Sequence, residues 1–197
     1  MPNKKTLALT EETYKKIIET MKAGFIYKDQ GGQERKFNPN DKIATALVIE
    51  ANLGLRISDI LALRLNDIVR DGDRYRLDIT EQKTGKTRNF TVPSEIYRYL
   101  ENYTLKKNIK STARIFNVTE RAIQKQLKIV ADYLGLDGIG THSFRKFFAT
   151  QVYTANGYNI ELVRTLLQHS NSAITQRYIG IQQKDVEDAL NKHIQLI

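Results

Sequence analysis

Six polar side chains spread along this chain are of types that could cut and rejoin a phosphate diester. His142 and Arg145 stand three residues apart in THSFRKFFAT, and a helix capped by Thr141 would project both from one face. That pair could grip one phosphate. Arg56 lies in LGLRISDILALRLNDI at a helix junction, His169 in LLQHS at a helix end, and Tyr178 a short helix later. Lys83 lies in QKTGKTRNF, on a turn between two strands. A tyrosine with a pKa of about 10 is mostly protonated at neutral pH, so positive neighbours must favour its ionised form before it can attack. Arginine presents a planar fork to two phosphate oxygens, which lysine does not. Histidine can donate a hydrogen bond or relay a proton.

Taken one at a time, these residues say little. A tyrosine near a helix end is usually a half-buried packing residue, and a single arginine or histidine is more often a surface ion-pair partner or a satisfied side chain. Their order along the chain carries the inference. Composition sets its frame. Thirty-one Lys+Arg against 22 Asp+Glu give a net charge of +9, which favours a polyanion such as nucleic acid. Zero cysteines exclude thiolate nucleophiles, disulfides and cysteine-rich zinc sites. The three histidines, His142, His169 and His193, lack metal-ligand spacing, so no metal is expected. No apolar run approaches the roughly 20 residues of a membrane span, and the start MPNKKTLALTEE lacks a secretory signal, so a cytoplasmic protein with no membrane partner is expected.

The elements that must position these groups can be read from period and caps. Residues 11 to 23 read as an amphipathic helix capped by Thr10, followed by an exposed loop, YKDQGGQERKFN. Asn38-Pro39 offers a start for a second helix that stops at Asn52-Leu53-Gly54, and Ser58 a cap for a short helix after Arg56. Tyr75, Leu77 and Ile79 alternate, as do Arg88, Phe90 and Val92, with turns at Asp71-Gly72 and Thr84-Gly85, which predicts an antiparallel sheet. Helices follow Pro93-Ser94 and Thr119, then span about 142 to 155, 160 to 168, 173 to 178 and 183 to 195. Nothing divides the 197 residues, which read as one domain.

The segments GLRISDILAL, THSFR and LLQHS…RY, in that order, resemble the sequence boxes of the tyrosine recombinases, the phage integrase family. The likeness runs from the first helix through the C-terminal one. It implies an α+β catalytic domain, mostly helical, with a small three-stranded antiparallel sheet at one edge. It also implies an active site of Arg56, Lys83, His142, Arg145, His169 and Tyr178. On this reading Tyr178 attacks a DNA phosphate and forms a 3′-phosphotyrosyl link. The arginines neutralise the charge that develops, His142 acts as acid-base and His169 as donor. Lys86 shares the turn with Lys83, and it is the resemblance that selects Lys83 as the proton donor to the departing 5′ oxygen. Asp59 falls where the family places an acidic residue that orients an arginine or histidine.

Three positions depart from the family pattern: Lys146 where a second histidine is common, Gln168 where glycine is usual, and Asp59 in place of glutamate. The N-terminal helical domain that members usually carry is expected to be absent, which should weaken isolated DNA binding. The phosphotyrosyl link keeps the energy of the broken bond, so no cofactor is expected. Implied partners are double-stranded DNA, a tetramer on DNA built by exchange of the C-terminal helix from monomers, and accessory proteins that set direction. Lys86, and the Arg121, Lys125 and Lys128 face of one helix, are candidates for the DNA backbone. Competing readings are a DNA-binding regulator that does not cut, and topoisomerase-like relaxation by the same chemistry.

Overall fold

The computed structural model describes residues 6–29 and 31–179, except the side chains of Arg88 and Arg177. Helix α1 (Glu11–Ala23) opens where the Thr10 hydroxyl accepts the Thr13 amide, with Glu11 and Glu12 at the positive end of the helix dipole. Its inner face buries Ile17, Ile18 and Met21. The next segment, expected to be a loop, is instead an antiparallel hairpin of β1 (Phe25–Lys28) and β2 (Glu34–Phe37). Each strand has only four residues, and Ile26 places an apolar side chain on the outer face, so the alternation is too short and too mixed to register as a period. Aromatic stacking holds it: Phe25 lies 4.8 Å from Phe37 and 4.0 Å from Tyr133, ring centre to ring centre.

Helix α2 (Asp41–Leu53) begins at Asn40, whose side chain accepts the Ile43 amide. Nine of its residues are buried, on every side, and it packs against α1 and a later helix, α6 (Thr141–Ala155). A helix buried on so many sides belongs at the centre of a fold. It ends at Gly54, which has φ +59. A Cβ there would lie 2.3 Å from Cδ1 of Phe148 on α6, so glycine is required by both conformation and space. Two residues later Arg56 opens α3 (Ile57–Ala62), and Ser58 is inside that helix rather than its cap.

A three-stranded antiparallel sheet follows, β3 (Ile68–Asp71), β4 (Arg74–Thr80) and β5 (Thr87–Val92), in that spatial order. Ile68, Leu77 and Val92 are buried on its inner face. The remaining helices are α4 (Ser94–Lys106), α5 (Glu120–Tyr133), α6, α7 (Ile160–Leu167) and α8 (Ser172–Tyr178). The expected helix at 183–195 lies outside the described residues. The fold is α+β and mostly helical, with two small antiparallel sheets among the described residues.

One large core joins α1 to α5, the sheet and the first half of α6. A smaller one gathers Ala149, Val163, Leu167 and Ile179, with Phe148, Val152 and Tyr178 packed against it. Burying Leu167 there stabilises by about 2 kcal/mol. The smaller core fixes where α8 ends, and therefore where Tyr178 stands.

Candidate active site

Tyr178 is the last residue of α8 and is half-buried. Its ring meets that of His169 edge-on, with centres 4.8 Å apart. The Arg145 guanidinium carbon lies 5.9 Å from the tyrosine ring centre, and the Lys146 ammonium 6.0 Å. Two cations therefore flank the ring.

Arg145 is fully buried on α6. Nη1 donates to the Gly54 carbonyl at 2.7 Å and Nη2 to the Leu167 carbonyl at 3.0 Å. These bonds join the end of α2 to the end of α7 through one guanidinium. His169 is also buried, and its Nδ1 lies 3.1 Å from the hydroxyl of Thr175 on α8. The peptide before it turns sharply, because Gln168 adopts the left-handed conformation at φ +53.

Arg56 approaches from α3. Its Nη1 lies 2.5 Å from Oε2 of Glu81, whose side chain is fully shielded from solvent. The same oxygen accepts from the Thr84 hydroxyl at 2.7 Å. Glu81 begins the turn between β4 and β5, which is closed by its amide donating to the Lys86 carbonyl at 2.9 Å. Lys83 is exposed on that turn. Asp59 is buried in α3, and its Oδ1 accepts the Gln82 amide at 2.8 Å. That carboxylate thus meets the lysine turn rather than the arginine or histidine anticipated for it, and Glu81 is the acid that meets Arg56.

His142 lies in the first turn of α6, one turn before Arg145, with its side chain exposed. Partial desolvation, then repulsion from Arg145, Lys83 and Lys146, pushes its pKa below the usual 6.5, with Glu120 opposing. A neutral imidazole beside several cations is suited to accepting a proton.

His142, Arg145, His169 and Tyr178 thus gather where α6, α7 and α8 meet, while Arg56 and Lys83 join through the β4–β5 turn. Lys86 is exposed on that turn, and Arg121, Lys125 and Lys128 are exposed on α5. Lys128 pairs with Asp132 at 2.9 Å, and Lys125 and Lys128 line a groove of about 810 Å³ between α5 and the β1–β2 hairpin.

Sequence reading missed Glu81, because nothing local ties it to an arginine 25 positions earlier. It also missed Glu50, fully buried on α2, whose carboxylate oxygens have no hydrogen-bond partner among the described residues. Desolvation holds Glu50 well above its usual pKa of 4.5, with attraction from Arg145 working the other way. Lys146, noted only as a departure, is a cation at the tyrosine ring, and its ammonium also donates to the Thr6 carbonyl.

The model of the phage integrase family matches residues 8–185. The chain belongs to the phage integrase family. A probable integrase/recombinase of Bacillus subtilis, YoeC, is 34% identical over 164 residues, covering 79% of this chain and 87% of that protein. The tyrosine recombinase XerA of Pyrococcus furiosus is 26% identical over 195 residues, covering 94% and 61% respectively. Among solved structures, the XerH site-specific recombinase in a post-cleavage complex superposes with a TM-score of 0.72 at 19% identity, over 97% of this chain and 54% of that one. The catalytic domain of bacteriophage HP1 integrase gives 0.62 at 20% identity, over 96% of both chains. By family and fold the chain is a tyrosine recombinase catalytic domain. It spans little more than half of the XerH chain and about three fifths of XerA.

Proposed function

We propose that this phage integrase family member cleaves and rejoins double-stranded DNA in site-specific recombination, with Tyr178 as the nucleophile. The observation that carries the reading is the tyrosine ring at the end of α8, in edge contact with His169 and 5.9 Å from a fully buried guanidinium. The Tyr178 oxygen attacks phosphorus, the bond to the 5′ oxygen breaks, and Lys83 gives that oxygen a proton. His142 takes the phenol proton, while Arg56, Arg145 and His169 stabilise charge on the phosphate oxygens. A 5′ hydroxyl of another strand reverses the step and so exchanges strands. Asp59 acts by holding the lysine turn through Gln82.

On DNA the chain assembles as a tetramer by exchange of the segment near 183–195, with accessory proteins setting direction, and it works in the cytoplasm. Lys86, Arg121, Lys125 and Lys128 contact the DNA backbone. A nicked suicide duplex, in which the cleaved fragment diffuses away, tests the reading. The unsubstituted chain should give a covalent adduct that survives denaturing electrophoresis, and Tyr178→Phe should give none while retaining DNA affinity. Adduct formation by Tyr178→Phe would overturn the assignment, and DNA binding without any adduct from the unsubstituted chain would favour a regulator.

A further inference from the structure

Gln168 combines two local costs. It holds φ +53, a conformation glycine adopts freely and a residue with a Cβ adopts only at a cost, and its amide oxygen is buried with no hydrogen-bond partner among the described residues. The turn after α7 is closed without this side chain, by backbone bonds from the Gln168 and His169 amides to the Thr165 and Arg164 carbonyls. A residue kept at such a cost suggests a job elsewhere.

That job is visible 81 residues back in the chain. The Gln168 amide nitrogen donates to the carbonyl of Thr87 at 3.2 Å. Thr87 is the first residue of β5, paired with Thr80 across the base of the turn that carries Lys83. The incoming side of that turn is already held, by Glu81 to Arg56 and by the Gln82 amide to Asp59. Gln168 holds the outgoing side. It also stands between Leu167, whose carbonyl takes Arg145, and His169, whose ring meets Tyr178. Three consecutive residues thus touch the arginine clamp, the lysine turn and the nucleophile.

We propose that Gln168 is a positioning residue that ties the Lys83 turn to the end of α7, setting Lys83 where it can protonate the departing 5′ oxygen. This rests on the assignment of Lys83 as the proton donor. It predicts that losing the Gln168 amide harms the step that needs that proton and little else.

The test uses the full chain and a nicked suicide duplex on which the unsubstituted chain forms its adduct, made with either oxygen or sulfur at the bridging 5′ position. Sulfur leaves as a thiolate and needs no proton. Gln168→Gly, which relieves the strained φ, should melt at the same temperature or higher. It should cleave the oxygen duplex about tenfold more slowly and the sulfur duplex at the unsubstituted rate, with DNA affinity unchanged. Gln168→Asn, one methylene too short to reach Thr87, should behave the same way. Lys83→Ala is the control and should lose about a hundredfold on oxygen and recover on sulfur. If Lys83→Ala stays slow on sulfur, the assignment of Lys83 falls and the positioning role falls with it. If Lys83→Ala recovers while Gln168→Gly is equally slow on both duplexes, or slow on neither, the tether alone is overturned.

Discussion

The contact between Arg56 and Glu81 is the most direct link between the α3 junction and the lysine turn, and its removal has a calculable effect. In Glu81→Ala the Arg56 guanidinium loses a carboxylate 2.5 Å away, at a site where the two side chains are 18% and 0% exposed. Removing one partner of a fully buried pair costs about 3–5 kcal/mol, because a charge is left without compensation. Arg56 keeps some contact with water, so about 2–3 kcal/mol is expected here. For a chain of this length that lowers the melting temperature by about 4–12 °C. Glu81→Gln keeps an acceptor for Arg56 and the Thr84 hydroxyl, and should cost about 1–2 kcal/mol. Urea unfolding followed by far-ultraviolet circular dichroism gives the comparison, through the midpoint at constant slope. If Glu81→Ala costs less than about 0.5 kcal/mol, the value of an exposed pair, then Glu81 does not hold Arg56 and the turn is anchored otherwise.

Further outcomes follow from the same structure. Gly54→Ala combines a left-handed φ with a Cβ 2.3 Å from Phe148, so thermal unfolding should show a loss of roughly 2–4 kcal/mol; a change within about 0.5 kcal/mol would contradict the close approach of α2 and α6. The raised pKa of Glu50 makes its stabilising contribution fully present below 4.5 and lost as pH rises. Glu50→Gln should therefore be at least as stable as the unsubstituted chain near pH 8, with the advantage vanishing in acid; a loss at pH 8 would show Glu50 ionised as a partner of Arg145. His142 runs the opposite way, because its pKa is lowered: its contribution is present above 6.5 and lost as pH falls. Its imidazole resonance, assigned with His142→Asn, should titrate below 6.5 in the DNA-free chain, and a midpoint above that value would refute the repulsion described.

Much of this architecture is legible in the residues themselves. Thr10 and Thr119 cap their helices as their positions suggest, and the alternating segments form the antiparallel pair β4–β5 that their pattern implies. The β1–β2 hairpin escaped because only Phe25, Tyr27 and Phe37 mark its packed side, and the stacking partner of Phe25, Tyr133, lies 108 residues further along the chain. At the site, residue types with free chemistry were visible and their restraints were not. Arg145 reads as a phosphate clamp, yet its two bonded nitrogens also tie α2 to α7 through backbone carbonyls, which have no sequence signature. Gln168 is similar: a glutamine before His169 looks like a neutral replacement until its φ and its reach to Thr87 are seen together.

The central claim is that Tyr178 becomes covalently attached to DNA. Digesting the denatured adduct with trypsin and nuclease leaves a peptide that starts at Tyr178, because Arg177 precedes it, and ends at Lys184. Tandem mass spectrometry should find the nucleotide 3′-phosphate on the first residue of that peptide. Finding it on another side chain, with residues 178–184 unmodified, would contradict the account.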